Sequence, residues 1–287
     1  MPQLNLPLNP NEVWNAIKAG SALADASVEL LIAAQPQYAR LAEQKLMGQS
    51  SGAPSVVQLT MEVPETVPDD TVVLAVVSAQ DEIPLRPWLA RAQWPAGGVV
   101  VVLGDEHGGA GITWFADRVA RVGLRHEEPW ERVWEALVWA GAGRAVPLAR
   151  RFPVLRQAAA HRLISNACLQ NAAVGAVLFV PGTDLAVMTL NQMRLILNLA
   201  ALYGHEVSMD RLVELVSVLG MGLGFRAVAR QAMGLIPGLG WVIKGGMGYA
   251  GTRAVGEAAL RYFQQGAPLS VHRLQEHVTA LARRARS

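Results

Sequence analysis

The chain has 287 residues, of which 52% are hydrophobic and 17% are charged. Average soluble domains carry about 25% charged residues, so this deficit favours contact with a membrane or burial in an oligomer over an ordinary soluble domain. A net charge of +2, without a basic stripe interleaved with aromatic residues, argues against nucleic acid as a partner, and the single cysteine, Cys168, excludes an intramolecular disulfide.

The first 54 residues are predicted to form an N-terminal helical segment. They contain no basic region followed by an apolar stretch, so we expect no cleaved signal peptide, and any membrane face is reached from the cytoplasm. Asn9-Pro10-Asn11 is a helix-start signal. The predicted helix continues through Val28–Ile32, breaks near Pro36 and resumes over Tyr38–Met47.

Residues 55–145 are predicted to form a small α/β domain. Three β-branched runs predict strands, at Val56–Met61, Thr71–Val77 and Val99–Leu103. The last two are almost continuously apolar, which is typical of central parallel strands covered on both faces. Helices are predicted at Trp88–Trp94 and Trp114–Val122, and this alternation indicates an α/β fold.

A helix with Trp130 and Trp134 on its apolar face follows and is predicted to end at Gly141. The next segment, Val146–Arg156, carries three arginines around Phe152-Pro153 and is predicted to form a hinge-like junction. It is either a phosphate-binding patch or a solvated connector, and we favour the connector.

Residues 146–287 are predicted to form an all-α domain built on two helical hairpins. Two apolar runs are each interrupted once, by Pro181-Gly182 and by Pro237-Gly238. Each pair is predicted to break or turn a helix, because proline disfavours helix in the residue before it and glycine accepts positive φ. The residues predicted to contact a membrane or a partner are Phe179, Val180, Pro181, Gly182, Leu235, Ile236, Pro237, Gly238 and Trp241.

A helix between the two breaks is predicted to begin at Thr183 or Asp184 as N-cap and to stop at Gly204. Asp184, Asn191 and Arg194 lie on one stripe of this helix. We interpret the stripe as the solvated side of an amphipathic helix, with a ligand site as the alternative. In the later helix, Arg253 and Glu257 are spaced for an i, i+4 ion pair.

Neither apolar run crosses a bilayer by this reading. A spanning helix needs about 20 apolar residues, and each Pro-Gly pair cuts its run into two shorter halves. The sequence therefore favours a re-entrant or interfacial hairpin, with a buried soluble bundle as the alternative.

The runs Val180–Gly204 and Gly224–Phe263 resemble the YcjF-like family of bacterial proteins. The resemblance implies a helical C-terminal domain associated with the inner membrane, of a kind that often follows an Era-like GTPase domain. The polar positions grouped with the family pattern are Asp184, Asn191, Gln192, Arg194, Tyr203, Arg230, Thr252, Arg253 and Glu257. The resemblance does not imply what these residues do.

The N-terminal half is similar to what remains of a GTPase domain, with Val72–Glu82 and Val99–Gly108 in the places of nucleotide-side strands. It lacks the G-x-x-x-x-G-K-[ST] loop, whose backbone amides and lysine hold the phosphates. Leu103-Gly104-Asp105-Glu106 replaces the base-reading N-K-x-D motif. We interpret this half as a degenerate, non-hydrolysing G-like domain, and the glycine-rich Gly104–Gly111 as a loop rather than a phosphate site.

The sequence thus predicts an α+β protein with no cofactor, no metal site and no catalytic residues. We expect a membrane-associated adaptor or scaffold that docks at the cytoplasmic face of the inner membrane through its Pro-Gly tips. Its expected partners are the lipid surface and either a second copy or another protein. The alternatives are a nucleotide-binding regulatory protein with a non-standard site and a soluble oligomeric scaffold.

Overall fold

The computed structural model describes residues 9–34, 36–47, 55–58, 71–78, 98–103, 112–115, 119–124, 130–177, 183–205 and 240–265. Its contacts divide the chain into two compact units, Leu23–Arg162 and a second unit made of Met1–Ala22 with Leu163–Ser287. We call them the sheet unit and the helical unit. This division differs from the predicted boundaries at 54/55 and 145/146, since the first helix groups with the C-terminal helices.

The sheet unit contains a six-stranded sheet of order β2-β1-β3-β4-β6-β5. The strands are β1 (Glu29–Ala34), β2 (Ser55–Gln58), β3 (Thr71–Ser78), β4 (Gly98–Leu103), β5 (Ile112–Phe115) and β6 (Val119–Leu124). All neighbours are parallel except β5, which runs antiparallel to β6 at one edge. Consecutive residues Val72–Val76 of β3 are fully buried, so both faces of this strand are covered, as predicted.

Strand β1 corrects the prediction of helix over Val28–Ile32. Leu30–Ala34 are buried, and β1 lies between β2 and β3 in the sheet. An apolar run of this length fits a buried strand and a buried helix equally well by periodicity. Its two parallel neighbours decide for the strand, because they satisfy its backbone on both sides.

Strands β5 and β6 correct the prediction of helix over Trp114–Val122. They pair in antiparallel register, with Ile112 opposite Val122 and Phe115 opposite Val119. The β-branched and aromatic residues of this segment favour a pleated surface.

Among the described residues, three helices accompany the sheet: α2 (Pro36–Leu46), α3 (Glu131–Ala140) and α4 (Ala145–Arg151). Helix α2 packs against β1, β2 and β3, and α3 packs against β3, β4 and β6. Gly141 forms the C-cap of α3, as predicted. A short 3-10 turn, Pro153–Leu155, follows α4.

The Val146–Arg156 segment is not a solvated connector. Phe152 and Leu155 are completely buried, and Arg151 Nη1 donates a hydrogen bond of 2.6 Å to the carbonyl of Val28, just before β1. The guanidinium of Arg151 also lies 5.5 Å from the centre of the Phe152 ring. These contacts attach the segment to the sheet unit, which explains why the unit extends beyond residue 145.

The helical unit contains α1 (Pro10–Asp25), α5 (Arg156–Val177), α6 (Thr183–Leu202) and α7 (Gly240–Gln264). The unit boundary at 162/163 falls within α5. Helix α1 begins as predicted, because Asn9 Oδ1 accepts a 3.0 Å hydrogen bond from the amide of Asn11 and Pro10 needs no partner for its nitrogen. The described residues therefore form an α+β protein with a sheet unit and an all-helical unit.

Helix α6 ends at the predicted glycine. Gly204 has φ of +79°, a conformation that glycine adopts without strain. The amide of His205 donates to the carbonyl of Ala200 at 2.9 Å, and that of Gly204 to Ala201 at 3.0 Å. These two bonds form a Schellman motif, which satisfies carbonyls that the last turn leaves open.

Candidate functional site

Glycines bring α7 very close to α5 and α6. A Cβ atom at Gly248 would lie 2.4 Å from the carbonyl oxygen of Asn171 and 2.4 Å from Cε of Met188, so only glycine fits there. One at Gly256 would lie 2.9 Å from Cγ1 of Ile164 and 3.2 Å from Cδ2 of Leu195. Close backbone approach through small residues is a packing mode that suits helices in water and in lipid.

A buried network of amides crosses the three helices at this contact. Asn171 of α5 and Thr252 of α7 are completely buried, and Gln192 of α6 is 6% exposed. Asn171 Nδ2 donates to Thr252 Oγ1 at 2.7 Å and to the carbonyl of Met188 at 3.2 Å. Asn191 Nδ2 donates to Asn171 Oδ1 at 2.9 Å, and Gln192 Nε2 donates to Thr252 Oγ1 at 3.1 Å. We call Asn171, Asn191, Gln192 and Thr252 the amide network.

The amide network is suited to aligning the three helices and not to acid–base chemistry. Amides and a hydroxyl do not titrate near neutral pH, so the four side chains supply no general acid or base. Both protons of Asn171 Nδ2 and its carbonyl oxygen are engaged within the bundle, and Thr252 Oγ1 accepts two bonds. Because buried amides are costly to leave unpaired, this arrangement fixes the register of α7 on α5 and α6.

Of the family-pattern residues on α6, Gln192 therefore bonds Thr252 of α7 directly, and Asn191 is linked to Thr252 through Asn171 of α5. The interpretation of Asn191 as part of a solvated stripe is wrong, since it is half-buried and bonded to Asn171. Arg194, on the same predicted stripe, is exposed. Sequence reasoning missed Asn171 as a network member. Its signal was a carboxamide directly before the apolar run at 172–180.

The helix contacts also fix the direction of each helix. Gly245 approaches Ala172 and Ala176, Gly248 approaches Asn171 and Met188, and Gly256 approaches Ile164 and Leu195. Helix α7 therefore runs antiparallel to α5 and parallel to α6. The C-terminal end of α5 and the N-terminal ends of α6 and α7 lie together, and we call this the tip end.

The opposite end, which we call the base end, is closed by aromatic rings. The rings of Tyr203 and Phe263 stack with centroids 6.4 Å apart, and the ring of His205 lies 5.1 Å from that of Phe263. Tyr262 meets Phe263 edge-on at 5.3 Å, and Gln264 Nε2 donates to the Tyr203 hydroxyl at 3.4 Å. The family-pattern Tyr203 thus joins the C-terminal ends of α6 and α7.

Charged groups lie on the outside of α7. Arg253 Nη2 and Glu257 Oε1 form the predicted i, i+4 pair at 3.8 Å, with side chains 60% and 35% exposed. An exposed ion pair of this kind contributes little to stability.

Cys168 of α5 is buried, as expected for a small apolar residue, and burial raises the pKa of its thiol.

The predicted contact residues of the Pro-Gly tips lie outside the described residues. This holds for Phe179, Val180, Pro181, Gly182, Leu235, Ile236, Pro237 and Gly238, and for Arg230. Asp184 and Trp241 belong to α6 and α7, while their side chains are outside the description. Within the part of the chain that is described, no helix has the length and apolar character needed to cross a membrane.

The sheet unit has its own candidate crevice. Parallel strands in the order β2-β1-β3-β4 place a switch point between β1 and β3, where the connections leave in opposite directions and where doubly wound proteins bind ligands. The carboxyl ends there are Ala34 and Ser78. Only residue 35 separates β1 from α2, so this connection is too short for a phosphate-binding loop. The predicted glycine-rich loop Gly104–Gly111 follows β4 and lies outside the described residues.

Comparison with known proteins identifies one domain. Residues 148–287 match the family model of a domain of unknown function, DUF697. The match covers α6 and α7 and nearly all the rest of the predicted all-α domain, and it fits the C-terminal domain of YcjF-like proteins. No curated protein matched the chain in this comparison.

Proposed function

We propose that this protein is a non-catalytic, membrane-associated adaptor of the YcjF-like type, which docks at the cytoplasmic face of the inner membrane. The observation that carries the proposal is the tip end of the helical unit. Val177, Thr183 and Gly240 are the helix termini gathered there. The two Pro-Gly segments are joined to these same termini in the chain, so both attach to one end of the bundle.

The composition of the two segments supports a lipid surface as the partner. Phe179-Val180 and Leu235-Ile236 precede the two prolines, and burying such side chains in an interface contributes about 1.5–3 kcal/mol each. Two attached segments at one end would add their contributions, as two anchoring signals do on other peripheral proteins. The amide network and the base end would then hold the three helices in fixed register while the tips insert.

Flotation on vesicles tests this proposal. The purified full chain, mixed with vesicles of phosphatidylethanolamine and phosphatidylglycerol, is expected to float with the lipid, and cell fractions washed with carbonate are expected to retain it. The variant Val180→Asp/Ile236→Asp is expected to lose most of this binding, because each charge must enter the interface.

The matched control is Leu169→Asp. Leu169 is 60% exposed on α5, about two helical turns before the tip end, so a charge there leaves flotation unchanged if the Pro-Gly tips make the contact. Recovery of the full chain wholly in the soluble fraction, with no flotation, would remove the membrane role. A defined, monodisperse oligomer in light scattering without detergent would then favour the soluble oligomeric scaffold.

For the sheet unit, we propose a degenerate G-like domain that does not hydrolyse nucleotides. The doubly wound order, with a crevice at β1 and β3, is the feature it shares with nucleotide-binding folds. The single residue between β1 and α2, followed by Pro36 without an N–H, argues against phosphate binding there. Calorimetric titration with GTP and with ATP is expected to give no heat at millimolar ligand. Saturable binding would instead favour the nucleotide-binding regulatory protein.

A further inference from the structure

Residues 10–22 of α1 belong to the helical unit, although the sheet unit separates them in sequence from α5, α6 and α7. Ala16 and Ile17 of α1 form one buried cluster with Leu190, Met193 and Leu197 of α6. Val13 of α1 packs against the same cluster. Helix α1 therefore covers an apolar strip on α6, and we call Leu190, Met193 and Leu197 the α6 strip.

The contact has the pattern of an amphipathic helix in a groove. The packed residues of α1 follow the spacing i, i+3, i+4, and those of the α6 strip follow i, i+3, i+7, so one stripe meets another. The buried residues of α1 are Ala16, Ile17 and Gly20, of which only Ile17 is large. Beside this packed face, Trp14 is 52% exposed, and the Lys18 ammonium lies 5.8 Å from the centre of its ring.

We propose that α1 is an exchangeable helix, and that α1 of a second copy can occupy the α6 strip in place of the chain's own. The two arrangements make identical contacts on the strip, and reciprocal exchange closes a two-fold dimer. Only residues 26–28 connect α1 to β1, and a short connection of this kind favours exchange between copies. Most of the stability of a helix in a protein comes from packing of its apolar face, so α1, with 16 residues, gains stability by docking on an α6 strip.

The occupant is a second copy because complementarity to the α6 strip is already built into α1. The proposal goes beyond the membrane function and does not depend on it, since the α6 strip is in the middle and C-terminal part of α6 rather than at the tip end.

Crosslinking between single-cysteine chains tests the exchange. Both full-length chains carry Cys168→Ala, one with Ile17→Cys and the other with Met193→Cys. The two are mixed at high concentration, equilibrated and treated with a short bismaleimide. The expected product is a linked pair of two chains on a denaturing gel, and its amount falls when the mixture is diluted tenfold before equilibration. A second pair, Ala16→Cys with Leu197→Cys, repeats the test where one substitution disturbs folding.

Two controls make every outcome decisive. A chain carrying both Ile17→Cys and Met193→Cys reports whether α1 contacts α6 at all. Internal linkage in that chain without linked pairs in the mixture shows that α1 stays on its own chain and overturns the proposal. Absence of linkage in both overturns it as well, because the contact itself is then missing. In the second control, a chain with Trp14→Cys replaces the chain with Ile17→Cys in the mixture. Equal linkage from this exposed position would show non-specific association and overturn the exchange.

Discussion

Replacing Gly248 with alanine tests the close approach on which the helical unit depends. The new methyl would lie 2.4 Å from the carbonyl oxygen of Asn171, which is backbone and cannot turn away. Overpacking of this kind costs about 1–3 kcal/mol. The shift of α7 that relieves it also stretches the 2.7 Å bond from Asn171 to Thr252, a loss of about 1 kcal/mol.

The helix propensity of alanine offsets part of this cost. Alanine is favoured over glycine by about 1 kcal/mol in a helix interior, so the net loss at Gly248 is about 1–3 kcal/mol by the same central values. Gly246 gives a matched control, because it is exposed in the same helix and a Cβ there meets nothing within 4 Å. Gly246→Ala is expected to stabilise by up to about 1 kcal/mol, which separates the two variants by about 2–4 kcal/mol.

Urea unfolding followed by far-UV circular dichroism measures the difference. A chain with two compact units need not unfold in a single step, so hydrogen exchange of the α7 amides is needed to assign the change to the helical unit. The reasoning fails if Gly248→Ala is as stable as Gly246→Ala, since α7 would then not lie against the Asn171 carbonyl.

The remaining predictions concern the amide network and the buried thiol. Thr252→Val removes the acceptor shared by Asn171 and Gln192 and is expected to lower the free energy of unfolding by about 1–3 kcal/mol in urea. Thr252→Ser keeps the oxygen, so its loss is expected to be smaller. Equal stability of the two variants would show that these bonds contribute nothing. Burial raises the pKa of the Cys168 thiol above 9.0, so the neutral thiol is favoured in the folded chain, and the stability it contributes is present below about pH 9 and lost as pH rises beyond it. The stability of Cys168→Ala is therefore expected to fall less than that of the natural chain between about pH 8 and pH 10. Cys168 is also expected to react with a thiol reagent only after unfolding. Rapid labelling of the folded chain would contradict its burial.

Local signals in the sequence were sufficient for the start of α1 and the end of α6. Asn9 with Pro10 predicts the start of α1, and Gly204 predicts the end of α6, because a side-chain cap and a positive φ act within a few residues. The bounds of strand β3 also follow closely from the sequence, since a short run rich in β-branched residues favours a strand.

Contacts between distant segments could not be predicted in this way. The run that forms β1 is apolar enough for helix or strand, and its pairing with β2 and β3 decides between them. Asn191 shares a helical stripe with the exposed Arg194, and only Asn171, on another helix, makes it part of a buried network. The grouping of α1 with the C-terminal helices has no local signal, since it depends on a partner strip on α6.

Two kinds of packing hold the helical unit together. Towards the base end, large side chains such as Leu199, Leu202 and Phe263 are buried, which is how helices associate when water drives apolar surface together. Along α7, Gly245, Gly248 and Gly256 bring backbones together, and buried amides join the three helices near their middle. Small residues and interhelical hydrogen bonds are means of packing that persist where lipid removes the hydrophobic driving force. The second kind of packing would therefore keep α7 in register on α5 and α6 under the proposed docking of the tip end at a membrane.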